Sequence, residues 1–233
     1  MFTRKIATAA STCITAAVIG VAALGLVGTA NAVSPAAVST MSASVVVGDP
    51  VGAATYWQRQ HGDDCAEMAV ADVVGEVTGR SPSEAEIVEV ARNTPSTVTP
   101  GPIYTGDAAG GPADADASTG GTASEDIPVL LANYDIAAVL SHAENATAGV
   151  DEIVADLVIG RKVIVGVNAE IIWGERGDRT TADHAAVVTG IDLAAGLVYL
   201  NDSGIDTGRA ETISLDVFLA SWSTSDYEMI TTL

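Results

Sequence analysis

Two residues far apart in the chain, Cys65 and His184, have the types that thiol catalysis requires. Cys65 follows Asp64 at the start of a run whose apolar residues recur at helical spacing, so its thiol is expected at the N-terminus of a helix. The unpaired N–H groups there stabilise a thiolate. His184 begins an apolar run typical of a strand, and Asp202 ends the next strand. The pattern allows an arrangement in which His184 takes the thiol proton and Asp202 orients its ring.

The other histidines are less well placed for this chemistry. His61 lies in a loop four residues before Cys65, a separation that rarely lets an imidazole approach the thiol. His142, close to Glu144, is expected to be a solvated loop residue. The tryptophans are too scattered for a stacking platform, and we expect them to pack in the core or in a cleft wall: Trp57, Trp173 and Trp222.

The elements that must position these residues change in kind along the chain. Helical periodicity predicts helices over residues 66–77, 81–91, 124–133 and 149–159. Asp64 and Glu67 are expected to cap the first of them. Short β-branched runs predict strands over residues 163–167, 185–191, 197–201 and 227–231, with a helix over residues 214–222 before the last. Helices followed by strands indicate an α+β domain with segregated layers.

The N-terminus has the organisation of an export signal. Arg4 and Lys5 precede a densely apolar stretch, and Ala30-Asn31-Ala32 provides small residues at the positions that specify cleavage. We therefore expect a signal peptide at residues 1–32, a secreted protein and no stable membrane insertion after cleavage; the alternative is an uncleaved membrane anchor. A spacer is predicted at residues 33–54 and one domain at residues 55–233, with a low-complexity loop at residues 99–124. Cys13 leaves with the signal, so Cys65 has no internal disulfide partner.

Composition excludes several classes of partner. The 233 residues include 30 Asp or Glu and 10 Lys or Arg, which gives a formal net charge of −20. Such a chain lacks the clustered cations that bind nucleic acid phosphates or anionic membranes. The acidic positions of residues 114–125 match the spacing of a calcium loop, but Thr119 stands where the turn glycine belongs and no helix enters the loop. No metal or other cofactor is expected.

Three blocks of sequence carry a family resemblance: residues 56–66 (YWQRQHGDDCA), 183–192 (DHAAVVTGID) and 198–204 (VYLNDSG). Together, and in this order, they resemble the papain-like cysteine peptidases of the bacteriocin-leader-peptidase-like (C39-like) superfamily over residues 55–233. The resemblance implies a papain-like α+β fold with N-terminal helices packed on a C-terminal antiparallel sheet. The sequence has no Gly-x-x-x-x-Gly-Lys phosphate loop, so we expect a secreted stand-alone form rather than an exporter.

The resemblance also implies roles for individual residues. Cys65 would be the nucleophile and His184 the general base and acid, with Asp202 or the adjacent Asn201 orienting the imidazole. A glutamine before the cysteine would help to form the oxyanion hole. Gln60 fits the family's Trp-x-x-Gln pattern but precedes Cys65 by five residues, and Gln58 precedes it by seven, whereas the usual separation is six.

Two classes of function follow. The favoured one is a secreted thiol hydrolase that cleaves a peptide or protein substrate through an acyl-enzyme on Cys65. A cell-wall peptide hydrolase of the NlpC type, or an acyltransferase, would use a related mechanism. The other class is a noncatalytic binding module on the same fold, in which Cys65 would be an ordinary thiol and the acidic surface would recruit a cationic partner.

Overall fold

An antiparallel sheet of seven strands runs through the residues that the computed structural model describes, 45–106 and 121–233. Its main path has the order β2-β7-β3-β4-β5-β6, and β1 pairs with β4 beyond the end of β3. The strands are β1 (Val47–Gly48), β2 (Ala138–His142), β3 (Val163–Val167), β4 (His184–Asp192), β5 (Leu197–Asn201), β6 (Glu211–Ser214) and β7 (Glu228–Thr232).

Helices cover both faces of this sheet. They are α1 (Pro50–Ala53), α2 (Cys65–Thr78), α3 (Glu84–Asn93), α4 (Ile127–Ala132), α5 (Ala146–Val158), α6 (Ala169–Ile172) and α7 (Leu215–Trp222). The apolar residues of α2, α3 and α4 form one core with the sheet face that carries Ile164, Val187 and Ile230. The residues of α5 and α7 form a second core on the opposite face, around Phe218 and Trp222. The predicted α+β class, with N-terminal helices packed on an antiparallel sheet, is confirmed.

Helix α2 forms where the periodicity predicts it. Its apolar stripe is fully buried at Val70 and Val73, and Gly79 ends it in a left-handed conformation with φ of 81°. The predicted cap is wrong in one respect. Asp64 holds the N-cap position, but its side chain makes no capping hydrogen bond. Burial and the neighbouring carboxyl group of Glu84, in helix α3, instead raise the pKa of Asp64 to about 6.

Several element boundaries differ from the predictions. Helix α3 begins at Glu84 rather than near residue 81, because Ser83 and Glu86 form a reciprocal capping box. Strands β2 and β6 were not predicted. Within the segment predicted as a spacer, Val47 and Gly48 pair with Ile191 and Gly190 of β4. The predicted signal peptide at residues 1–32 and the calcium-spaced positions 114–120 lie outside the described residues.

Within the described ranges, no helix is long and apolar enough to span a bilayer.

Candidate active site

Cys65 occupies the first position of helix α2, beside the end of the sheet. Its side chain is partly exposed and packs against the core between α2 and the sheet. The first turn of the helix directs backbone N–H groups towards this end, which favours negative charge on the sulfur. The sequence therefore positions the thiol by local helix geometry alone.

His184 and Asp202 meet although they belong to different segments. His184 is the first residue of β4, and Asp202 follows the last residue of β5. Nε2 of His184 lies 2.7 Å from Oδ1 of Asp202, and both side chains are buried. The Cys65 thiol also interacts with this imidazole and raises the pKa of His184. Because Nε2 faces Asp202, Nδ1 is the ring nitrogen available to the thiol.

The charges of this group reinforce one another. Burial by itself lowers the pKa of His184, but the hydrogen bonds and charges of Asp202 and Cys65 outweigh burial and raise that pKa to about 10. Burial raises the pKa of Asp202, but the hydrogen bonds and charge of its neighbours outweigh it and lower the pKa from its ordinary value. The arrangement therefore favours the protonated imidazolium of His184 beside the carboxylate of Asp202.

Asn201, the alternative to Asp202, points elsewhere. Its Nδ2 donates to the carbonyl oxygen of Ala53 at 3.0 Å, and its Oδ1 accepts from the backbone N–H of Ala210 at 3.0 Å. The side chain thus ties the α1 segment and the loop before β6 to the end of β5. Of the two neighbours, Asp202 is the one that contacts His184.

The two candidate glutamines, Gln58 and Gln60, lie in different parts of the structure. Gln58 donates to Ser81 Oγ at 3.0 Å and to the carbonyl oxygen of Pro82 at 2.8 Å, in the connection between α2 and α3. Gln60 lines the same cleft as Cys65. Its Oε1 accepts from Ser203 Oγ at 2.7 Å, and one hydrogen of its amide group bonds to the carbonyl oxygen of Gly62 at 2.9 Å.

Trp173 supports the His–Asp pair from the cleft wall, a role the sequence analysis did not assign. Its Nε1 donates to Oδ2 of Asp202 at 2.8 Å, and its ring meets that of His184 edge to face, with centroids 5.4 Å apart. Gly204 makes the approach possible, because a Cβ there would lie 2.4 Å from the Trp173 ring. Its backbone N–H also donates to Oδ1 of Asp202 at 2.7 Å. The signal in the sequence was a tryptophan before a polar insertion.

The remaining histidines lie outside this arrangement. The exposed His61 places Nδ1 2.7 Å from Glu84 Oε2, at the side of α3. His142 is exposed at the end of β2, with Nδ1 3.2 Å from the carbonyl oxygen of Asp226. Neither residue lines the cleft that contains Cys65.

A cleft with a volume of about 1140 Å³ opens at Cys65 and His184. Its floor is the end of the sheet, where Ile164, Gly166 and Ile230 lie, and Trp173 is on one wall. Residues 121–124, at the end of the predicted low-complexity loop, form part of another wall. Thr122 anchors this segment by donating to the buried carboxyl group of Glu67. The cleft has room for several residues of an extended peptide.

No group of three or more His, Cys, Asp or Glu side chains with metal-binding geometry occurs among the described residues.

Comparison with known proteins shows a family and a similar fold. The sequence profile described as "Peptidase_C39 like family" matches residues 53–230. Uncharacterized proteins of Mycobacterium tuberculosis and Mycobacterium bovis are each 45% identical over 246 residues, covering 100% of both chains. The fold is similar to the crystal structure of a C39-like peptidase from Bacillus anthracis, with a TM-score of 0.55 and 16% identity over 81% of this chain and 98% of that one.

Proposed function

Because the chain belongs to the Peptidase_C39-like family, we propose that it is a thiol hydrolase that cleaves peptide bonds through an acyl-enzyme on Cys65. One observation carries the proposal. A cysteine at a helix N-terminus and a buried His–Asp pair with an Nε2···Oδ1 distance of 2.7 Å meet at the mouth of a peptide-sized cleft. A noncatalytic binding module would have no need for a buried imidazolium beside a thiol.

Acylation would begin from the thiolate–imidazolium pair. The sulfur of Cys65 attacks the carbonyl carbon of the substrate, and its electron pair forms the C–S bond while the carbonyl oxygen becomes an oxyanion. As the C–N bond breaks, the imidazolium of His184 gives its Nδ1 proton to the leaving amine. The products of this step are a free amine and a thioester on Cys65.

Deacylation would use the same groups in reverse. The now neutral His184 takes a proton from water, and the oxygen of that water attacks the thioester carbonyl. The C–S bond breaks, the acyl group leaves as a carboxylic acid, and the restored thiolate faces the imidazolium again. Asp202 keeps the ring oriented and stabilises its positive charge throughout both steps. An acyltransferase would replace water with an amine or alcohol.

The oxyanion would be stabilised by the backbone N–H of Cys65 and by the amide of Gln60. The contacts with Ser203 and Gly62 fix the Gln60 side chain and use one of its two amide hydrogens. The second hydrogen remains for the substrate. A donor of this kind contributes about 3 kcal/mol to transition-state stabilisation in comparable sites. We assign Gln60 rather than Gln58 to this role.

We further propose that the protein acts outside the cell, after removal of residues 1–32, on a peptide or protein substrate. The supporting pattern is the basic, apolar and small-residue sequence of its N-terminus. A cell-wall peptide hydrolase is a second form of the same proposal, since its chemistry is identical and only the substrate differs.

The reactivity of Cys65 tests the mechanism directly. Iodoacetamide alkylation is measured across pH in the wild type and in His184→Ala, and tryptic mapping separates Cys65, in the peptide of residues 60–80, from Cys13. The wild-type thiol is expected to react well below the free-cysteine pKa of about 8.5, and His184→Ala is expected to lose this reactivity. The stabilised thiolate is the physical reason.

Two results of the alkylation experiment would contradict the proposed mechanism. A profile centred near about 8.5 in both proteins, or no alkylation before unfolding, would contradict a coupled thiol and imidazole. It would favour the noncatalytic binding module. His142→Ala, which alters an exposed histidine away from the cleft, is the matched control and should react like the wild type.

A further inference from the structure

Glu228 lies at the start of β7, on the side of the sheet that faces α2. The pairing of β3 with β7 matches Ile164 with Ile230 and Val165 with Met229, so Gly166 and Glu228 are the next residues along the two strands. Side chains alternate between the faces of a sheet, which puts Glu228 on the face of Ile230. That face forms the core against which Cys65 packs. Glu228 therefore extends into the cleft rather than to the opposite surface.

Gly166 provides the space that the Glu228 carboxylate uses. A Cβ at position 166 would lie 2.8 Å from Oε1 of Glu228 and 3.3 Å from Cβ of Ser225. Ser124 Oγ donates to the same Oε1 at 2.6 Å and fixes the carboxylate above the strand. No described residue donates a hydrogen bond to Oε2. One oxygen is thus held by the protein and the other is available to a ligand.

The charge of the cleft has one sign. Apart from the Cys65–His184 pair, every ionisable side chain of its described lining is acidic: Asp63, Glu170, Asp183, Asp226 and Glu228. No lysine or arginine is among the described residues that line the cleft. Oε2 of Glu170 is also buried without a described hydrogen-bond partner. A cationic group that enters this cleft is attracted by all of these carboxylates, and no lysine or arginine of the described lining repels it.

We propose that Glu228 is the specificity-determining residue of a subsite that takes a lysine or arginine side chain of the peptide substrate. The inference rests on the proposed function, since it names the substrate class of the same cleft. Strand β3 lies between β7 and β4, so Glu228 is two strand spacings, about 10 Å, from the strand that carries His184. A long basic side chain spans this distance from a residue close to the scissile bond, with the apolar floor beneath its methylene groups.

A positional library of quenched fluorescent hexapeptides tests this selectivity. One position at a time carries lysine or norleucine, which has similar length but no charge, and kcat/KM is compared for the full chain and for Glu228→Gln. At one position the wild type is expected to prefer lysine by about tenfold or more, the worth of a charged hydrogen bond. Glu228→Gln is expected to lose most of this preference. A ratio near one in the wild type, or an unchanged ratio in the variant, would overturn the proposal.

Binding separates this proposal from the hydrolase function. Fluorescence anisotropy measures the same peptides on Cys65→Ala and on Cys65→Ala with Glu228→Gln, neither of which can form an acyl-enzyme. Lysine-selective binding that depends on Glu228, without cleavage by the wild type, would support the subsite and reject the hydrolase. Binding without lysine selectivity would reject the subsite, whatever the wild type cleaves.

A matched variant removes the same charge elsewhere. Glu152 is exposed on α5, which packs on the other face of the sheet, so Glu152→Gln is expected to keep the lysine preference. An equal loss of preference in Glu152→Gln would mean that overall charge attracts the peptide, and it would overturn the role of Glu228. Melting temperatures of all variants check that each protein is folded.

Discussion

Asp202 is held by two indole groups that bond to different parts of the same residue. Trp173 Nε1 donates to the carboxylate oxygen Oδ2 at 2.8 Å, whereas Trp57 Nε1 donates to the backbone oxygen at 2.6 Å. The first bond stabilises the negative charge of the carboxylate that faces His184. The second bond holds the backbone in place. This difference allows the electrostatic role of Trp173 to be separated from a structural one.

Trp173→Phe is expected to move the acidic limb of the Cys65 alkylation profile to higher pH. The variant keeps a ring against His184 but removes a hydrogen bond that lowers the pKa of Asp202. Asp202 therefore gains its proton at a higher pH and stops supporting the imidazolium. Turnover is expected to fall by about tenfold, which corresponds to one hydrogen bond to a charged group.

Trp57→Phe is the control for this substitution. It removes an indole hydrogen bond of similar length from the same residue but leaves the carboxylate contacts intact. The profile of Trp57→Phe should keep its midpoint even if its melting temperature falls. Equal shifts in both variants would argue that the indoles act only through folding.

At the scale of elements, helix α2 carries both Cys65, at its first position, and a buried acid. Glu67 is fully buried two residues after Cys65, and Thr122 of the cleft wall donates to its carboxyl group. Burial raises the pKa of Glu67 to about 7, mainly because the charged form is desolvated. The helix therefore connects the cleft wall to Cys65 through a carboxyl group whose pKa is raised by burial.

Glu67→Gln is expected to make the free energy of unfolding less dependent on pH. The folded pKa of Glu67 is above its unfolded value of 4.5, so the wild type loses stability as the pH rises from there to about 7. Glutamine has the same shape as glutamate but does not titrate. The free energy of unfolding of the variant should therefore fall less than that of the wild type over this window, by roughly 3 kcal/mol at most. Urea unfolding at about pH 5 and about pH 8 measures the difference.

Glu152→Gln, on the exposed surface of α5, should keep the wild-type slope. If Glu67→Gln also kept the wild-type pH dependence of unfolding, the pKa of Glu67 would not be raised in the folded protein.

The two strands that the sequence analysis does not predict, β2 and β6, are edge strands. Strands β2 and β6 are the two ends of the main strand order, and their residues are mostly half-buried or exposed. An edge strand with little buried surface has a weak hydrophobic pattern, so its periodicity is hard to read. The central strands β3 and β4 are nearly or wholly buried and were predicted to within a residue at each end.

At the scale of the whole molecule, buried acids dominate the response to pH. Burial raises the pKa of Asp64 to about 6 and those of Glu67 and Glu211 to about 7, and it also raises those of Asp72 and Glu76. Each of these groups stabilises the folded state when neutral and does so less as the pH rises through the window between its unfolded and folded pKa. His184 has the same sign, because its raised pKa gives stability that is complete below 6.5 and lost towards about 10.

We expect the melting temperature to fall by about 5 °C or more between about pH 5.5 and about pH 8, given that 1 kcal/mol shifts a domain of this size by a few degrees. The net charge of −20 adds self-repulsion in the same direction. Calorimetry in about 0.15 M and about 1 M salt separates the two causes, because salt screens surface repulsion but not burial. A melting temperature that rises towards pH 8 would contradict this account.

The sequence by itself determined the class of the fold, the central strands and the position of Cys65 at a helix start. These features are local, because periodicity over a single segment decides whether it forms a helix or a buried strand. The three family blocks also indicated His184 and the pair Asn201–Asp202, together with Gln58 and Gln60.

Only the tertiary structure decided between neighbours and supplied the rest of the site. Asn201 and Asp202 are adjacent, and successive side chains at a strand end point in opposite directions, so the register of β4 and β5 selects Asp202 for His184. Trp173, just after α6, and Glu228, at the start of β7, reach the cleft through contacts between segments far apart in sequence. Such contacts depend on how elements pack, and no pattern within one segment records them.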